Sequence, residues 1–179
     1  MTAEAAGESR GAFNTRQRPS QIGEGHRRCG RARVIRVTMM LADAAQSVGG
    51  KLYILGGGWN ITGPQPVPSA IALLIEVPWD QANRRHAWKI ALFDEDGQPV
   101  LIPTAGGEQA VQVTADFEVG RPPGLKPGTP LIVPLAINMG PLPLLPDRCY
   151  VWRCSINDQT REDWRATFVT RPGDQPKDA

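Results

Sequence analysis

Histidine and cysteine are nearly missing from this chain, which holds two of the first and three of the second among 179 residues. His26 precedes the first apolar patterning, so His86 alone serves the body of the chain, and a two-histidine metal site cannot be built there. Ser47, Ser69 and Ser155 lie outside any strand–turn–helix elbow that would present a nucleophile. The paired carboxylates Asp94 with Asp96, and Asp116 with Glu118, fall on a turn and on a wet strand face, where they need no catalytic explanation. No catalytic, metal or cofactor-binding residue is expected, and no cofactor.

The three cysteines do not suggest a disulfide framework. Cys29 stands in a basic leader, and Cys149 and Cys154 are five apart in "CYVWRC". An odd offset along a strand sends two side chains to opposite faces, so this pair suits neither a mutual bridge nor a shared zinc. Residues 1–30 lack the charged-then-apolar pattern of a signal peptide, and no apolar run approaches the roughly 18 residues of a membrane span. A reducing bacterial cytoplasm is the expected compartment, with no membrane partner.

Glycine and proline are abundant instead, 19 and 17 residues, a balance that favours short strands with punctuated turns over a helical bundle. Charge is uneven. Eight arginines stand in residues 1–36 (Arg10, Arg16, Arg18, Arg27, Arg28, Arg31, Arg33 and Arg36) against three glutamates. Such an arm can neutralise phosphates, but lysine runs and interleaved aromatics are missing, so residues 1–33 read as a flexible tail and nucleic acid is not expected. β-patterning starts abruptly near Val34, and a valine codon can serve as a bacterial start. Val34 or Val37 is therefore a candidate first residue, a reading that peptides from residues 1–30 of the native protein would overturn.

From Val34 the chain reads as β almost throughout. Residues 34–42 and 51–57 are strands, with room for one helical turn in "DAAQSVGG" between them. "NITGPQPVPS" is a loop, and "AIALLIEVPW" is a strand covered on both faces. "HAWKIALFD" leads into the turn "DEDGQPV", and "AVQVTADFEV" alternates with one wet face. "LIVPLAIN", "RCYVWRCSI" and "WRATFVT" complete the set, joined by proline-rich stretches that suit crossings between sheets. About eight short strands predict an all-β antiparallel β-sandwich, immunoglobulin-like or jelly-roll-like, over residues 34–171, with 172–179 a disordered tail. An up-and-down barrel is the alternative.

"GGKLYILGGGWN", residues 49–60, invites a phosphate-loop reading. That loop needs a lysine and a hydroxyl after the last glycine and a helix beyond; here Trp59 and Asn60 follow, then a proline-rich run. A strand bend remains. "DEDG" at 94–97 lacks the spacing and distal glutamate of a calcium loop, so it reads as a hairpin turn. "WDQANRRHAW" is the best candidate binding surface: Arg84 and Arg85 suit acidic groups, Trp79 suits stacking, and His86 is read as a surface histidine beside them. "PLPLLP" at 141–146 reads as a sheet-crossing loop rather than a polyproline ligand.

The motifs "LADAAQ", "GGKLYILGGGW" and "DEDG", within residues 37–100, resemble an uncharacterised family of short bacterial proteins, mainly actinobacterial and of unknown function. Its members begin a residue or two before the first motif, which places residues 1–33 outside it. The resemblance implies no activity, cofactor or site residue. The expected function is a non-enzymatic protein-interaction or structural module whose partner is another protein, with oligomeric state open. A carbohydrate or small-ligand binder with at least two exposed tryptophans on one surface is the first alternative. An enzyme of unrecognised type is the second.

Overall fold

The computed structural model describes residues 34–173, so the basic leader and most of the C-terminal tail lie outside the described residues. The chain is all-β within them, with one short 3₁₀ turn at Trp79–Gln81. Twelve strands follow in order: β1 (Arg36–Ala42), β2 (Ala44–Val48), β3 (Lys51–Leu55), β4 (Ile61–Thr62), β5 (Ser69–Val77), β6 (Arg85–Phe93), β7 (Leu101–Thr104), β8 (Gly107–Ala110), β9 (Gln112–Glu118), β10 (Leu131–Met139), β11 (Cys149–Ile156) and β12 (Gln159–Thr170).

Two sheets make the frame. One has the order β1-β5-β10, the other β4-β12-β11-β6-β9. Pairing is antiparallel except where two residues of β4 run parallel to the end of β12, Ile61 beside Val169 and Thr62 beside Thr170. The proline-rich stretches between β9 and β10 and between β10 and β11 do carry the chain from one sheet to the other.

Strand alternation explains the core. On β5 the residues Ile71, Leu73, Ile75 and Val77 point inward; so do Trp88, Ile90 and Leu92 on β6, and Tyr150, Trp152, Cys154 and Ile156 on β11. Trp164 and Phe168 of β12 complete one cluster drawn from both sheets. Each such side chain stabilises by roughly 1.5–3 kcal/mol on burial. The other face of β5 is also covered in its first half, where Ala70 and Ala72 meet Ala42 and Ala45 with Leu52 and Ala136 alongside. That double cover is why "AIALLI" carries almost no alternation.

Twelve strands exceed the expected eight because three pieces escape the sequence pattern. The stretch expected to hold a helical turn is β2, paired with β3 across Gly49–Gly50, whose φ angles of 58° and 73° make a two-residue type I′ turn. A four-residue helix lacks the length to stand alone, whereas a strand here buries Ala45 against the sheet. β7 and β8 form a second hairpin that Pro103 and the Gly106–Gly107 pair hide from any alternation count. β4 is only two residues long.

Other turns match their chemistry. Asp94 Oδ1 accepts from the backbone N–H groups of Asp96 and Gln98 at 3.0 and 2.7 Å, so "DEDG" is a self-capped turn. β11 and β12 are joined by Asn157–Asp158, both at positive φ, a tighter hairpin than the seven-residue turn "NDQTRED" suggests.

Candidate functional site

The segment 79–86 does not assemble as one surface. Trp79 is half-buried in the 3₁₀ turn, with the Arg121 guanidinium 4.9 Å above its ring and Arg121 donating to its carbonyl at 2.9 and 3.3 Å. Arg84 points to solvent. Arg85 pairs with Asp116 of neighbouring β9 at 2.6 Å in an exposed ion pair, a class worth at most about 1 kcal/mol. No sequence signal brings Arg121 to this place; only the fold does.

His86 is not a surface histidine: it is 3 % exposed. Its Nε2–H donates to the Gln81 carbonyl at 3.0 Å, Nδ1 accepts from the Asn157 side-chain amide at 3.1 Å, and the ring stacks on Phe117 with centroids 5.2 Å apart. Asn157 Oδ1 also accepts from the Ala87 N–H at 3.0 Å, so the cluster ties the β11–β12 turn to β6. The arginines that precede His86 suggest a wet residue, but the inward register of Trp88, Ile90 and Leu92 extends back to position 86. That alternation was the available signal.

None of the five tryptophans is exposed. Trp88, Trp152 and Trp164 are buried, and Trp59 and Trp79 are half-buried at separate places. The ligand binder with two exposed tryptophans on one surface therefore loses its premise. Cys149 and Cys154 are both free; Cys154 is fully buried, and burial pushes its thiol up to about 11, which leaves it protonated and unreactive at neutral pH. Among the described residues no group of three His, Cys, Asp or Glu side chains could hold a metal ion. Nor is any helix among them long and apolar enough to cross a membrane.

A cavity of about 540 Å³ opens beside Val34, Gln81, Asn157, Thr160, Arg161 and Trp164. Two of its polar side chains hold the fold, Asn157 serving His86 and Ala87 and the Thr160 hydroxyl donating to the Cys154 carbonyl at 3.0 Å, while the buried Trp164 Nε1–H has no partner. A second, of about 330 Å³, lies between the Asp94–Asp96 turn and Arg148, whose guanidinium pairs with Glu95.

The β2–β3 hairpin is different in kind. The register pairs Ala44 with Leu55, Gln46 with Tyr53 and Val48 with Lys51, and all six share one face. The opposite face holds Ala45, Ser47, Leu52 and Ile54 and turns towards the three-stranded sheet, where Ala45 is buried and Ser47 Oγ donates to the Pro134 carbonyl at 2.8 Å. The outward face is consequently apolar and wet: Leu55 is 70 % exposed, Tyr53 57 % and Val48 56 %, with Lys51 its one charge. Of the twelve large apolar side chains exposed among the described residues, these three share the outward face of one hairpin, Met40 and Ile54 lie on its other side, and Ile61 and Val169 make a separate pair. A shallow groove of about 250 Å³ runs along Ala44, Ala45, Gln46, Tyr53, Ile54 and Leu55.

The glycine triplet builds this feature. Leu55 accepts from the Asp43 N–H at 3.0 Å, and the Gly58 N–H donates to Leu41 at 2.8 Å, so the chain leaving β3 returns along the end of β1. Gly56 sits at φ 60°, where a Cβ would come within 2.0 Å of the Asp43 carboxylate. Trp59 then anchors the return by meeting Phe168 edge-on at 5.8 Å. The strand bend read from "GGGW" is present, and it serves to lay an apolar hairpin on the outside of the sheet.

Among the described residues, fold and site define an all-β protein with a solvent-facing apolar hairpin face. The chain belongs to DUF6941, a family of unknown function, whose model matches residues 37–167. No curated protein and no solved structure matches it.

Proposed function

We propose that this chain is a non-enzymatic protein-interaction module built on an immunoglobulin-like β-sandwich, and that it engages its partner through the outer face of the β2–β3 hairpin. Setting aside β4 and the two small hairpins leaves seven strands: first, second and fifth in one sheet; seventh, sixth, third and fourth in the other. Trp88 is buried on the third of these, and Tyr150 stands near the start of the sixth with its hydroxyl accepting from the Leu145 N–H at 3.0 Å. A buried tryptophan and a tyrosine corner at those places support the immunoglobulin-like over the jelly-roll reading. The two cysteines among the described residues, both free, support a reducing compartment.

Fold alone assigns no function. The observation that carries the reading is the exposure of Leu55, Tyr53 and Val48 on one nearly uncharged hairpin face, since contiguous exposed apolar surface marks contact sites. Engagement of Asn157 and Thr160, beside the cavity of about 540 Å³, in holding the fold supports a role other than catalysis for those two side chains. A photo-crosslinking residue at position 55, introduced in native cells, is expected to yield a discrete adduct with another protein, while the same probe at position 84 yields none. Adducts at 84 without any at 55 overturn the assignment of the surface.

A further inference from the structure

Sheet edges invite pairing with another chain, and folded proteins blunt them with proline, charge, brevity or cover. In this fold the devices are easy to find. β10, at one side of its sheet, carries Pro134; β9, at the rim of the other, carries Asp116 and Glu118; β4 is two residues long; β7 carries Pro103. The edge of β2 is occupied by a side chain: Asn138 accepts from the Ala45 N–H at 3.1 Å and donates to its carbonyl at 2.8 Å, as a neighbouring strand would.

β3 has no proline and no cover, and only one charge. It is five residues long, "KLYIL", hydrogen-bonded to β2 alone, with its single charge at its first residue. Leu55 turns its carbonyl to Asp43, and Ala45 turns its backbone away from β3 to Asn138. By strand alternation Leu52 and Ile54 therefore direct their N–H and C=O groups to the open edge. Among the described residues nothing bonds them there.

We propose that this edge pairs with β3 of a second copy of the chain, antiparallel about a two-fold axis at Tyr53. The strand is complementary to itself in that register. Leu52 and Ile54 of one copy exchange both backbone hydrogen bonds with Ile54 and Leu52 of the other, four bonds in all. Tyr53 meets Tyr53 at the non-hydrogen-bonded position, where cross-strand side chains come closest. Lys51 falls opposite Leu55 rather than opposite its own copy, so no like charges meet. A two-fold isologous contact of this kind closes on itself and does not propagate. The result is a four-stranded ribbon, β2-β3-β3-β2, whose outward face joins two sets of Val48, Tyr53 and Leu55. The proposal rests on the hairpin being the contact surface and names a second copy as the neighbour that completes it.

Sedimentation velocity of the purified full chain across the micromolar range reads the outcome. A concentration-dependent dimer is expected. Tyr53→Lys sets two lysines against each other on the axis and is expected to weaken it at least tenfold, and mixing Tyr53→Lys with Tyr53→Glu is expected to restore a mixed dimer. Ile54→Pro removes an edge N–H and is expected to abolish dimerisation, with thermal melting as the control for folding. A wild-type chain that stays monomeric overturns the proposal, as does a dimer indifferent to Tyr53→Lys or a charge-swapped pair that fails to mix. A monomer that still crosslinks to another protein through position 55 overturns the pairing alone; a dimer without that adduct overturns the partner reading alone.

Discussion

Two hairpins interrupt the seven-strand frame, and they are built on opposite plans. In β7–β8, Ile102 turns into the core while Pro103 and Glu108 face each other across the ladder, and the Thr104 hydroxyl closes the turn on the Gly107 carbonyl at 2.6 Å. Its edge is blunted and Ile102 is spent inward, which leaves Leu101 as its single exposed large apolar side chain against three on the outer face of β2–β3. In β2–β3 the inward face pairs small Ala45 and Ser47 with Leu52 and Ile54, and Tyr53, Leu55 and Val48 still face out. Insertion into an all-β frame therefore does not by itself lay out a contiguous apolar face. One hairpin follows the rules for a quiet surface and the other breaks them, which is where function is expected to reside.

The comparison is broken most severely if the hairpin proves to be part of the frame. Trp152, fully buried between the sheets, is expected to cost about 3–5 kcal/mol as Trp152→Ala. Leu55→Ser on the hairpin face is expected to change stability by no more than about 0.5 kcal/mol. Denaturant titration compares the two directly. A Leu55→Ser loss of several kcal/mol would mean that the exposed face holds the fold together and is not reserved for contact.

A smaller effect tests how the hairpin is seated. Gly56→Ala meets both a left-handed backbone and the Asp43 carboxylate, whereas Gly50→Ala, at φ 73°, meets the backbone strain with open space around it. The first is expected to cost about 1–2 kcal/mol and the second about 1 kcal/mol. Adding Asp43→Ala to Gly56→Ala is expected to recover the difference. If both glycine variants cost the same, the Asp43 side chain moves aside freely and the close approach does not fix the hairpin.

The frame was far more legible in the sequence than the hairpin. "AVQVTADFEV", "RCYVWRCSI" and "WRATFVT" carry the period of two because one side of each packs on a shared core. "AIALLIEV" is read just as easily from the lack of alternation that double cover produces. β2 was misread because "DAAQSV" has only alanines to bury, and alanine marks neither helix nor strand over so short a span. His86 was misplaced because neighbouring arginines outweighed the register of its own strand. The exposed face of β3 was hidden for a different reason: "KLYIL" looks like any strand, and which of its faces is wet depends on where β10 lies, some eighty residues away.

The smallest effect separates the two edges of the hairpin itself. Asn138 gives β2 what β3 lacks, a partner for both backbone groups of one residue. Asn138→Ala removes an acceptor and a donor together from a site that is only partly enclosed, so water replaces much of the loss and about 1 kcal/mol is expected. Asn138→Asp keeps the acceptor for the Ala45 N–H but cannot donate to its carbonyl, and a carboxylate facing that carbonyl recovers little. Hydrogen exchange gives the sharper readout. The Ala45 amide is expected to be protected in the wild-type protein and to exchange faster in both variants. The Leu52 and Ile54 amides, which face the other edge, are expected to respond to protein concentration and not to Asn138. If the Asn138 variants instead alter exchange at Leu52 and Ile54, the hairpin opens as one unit and its two edges are not independent, which removes the physical basis for assigning the open one to a partner strand.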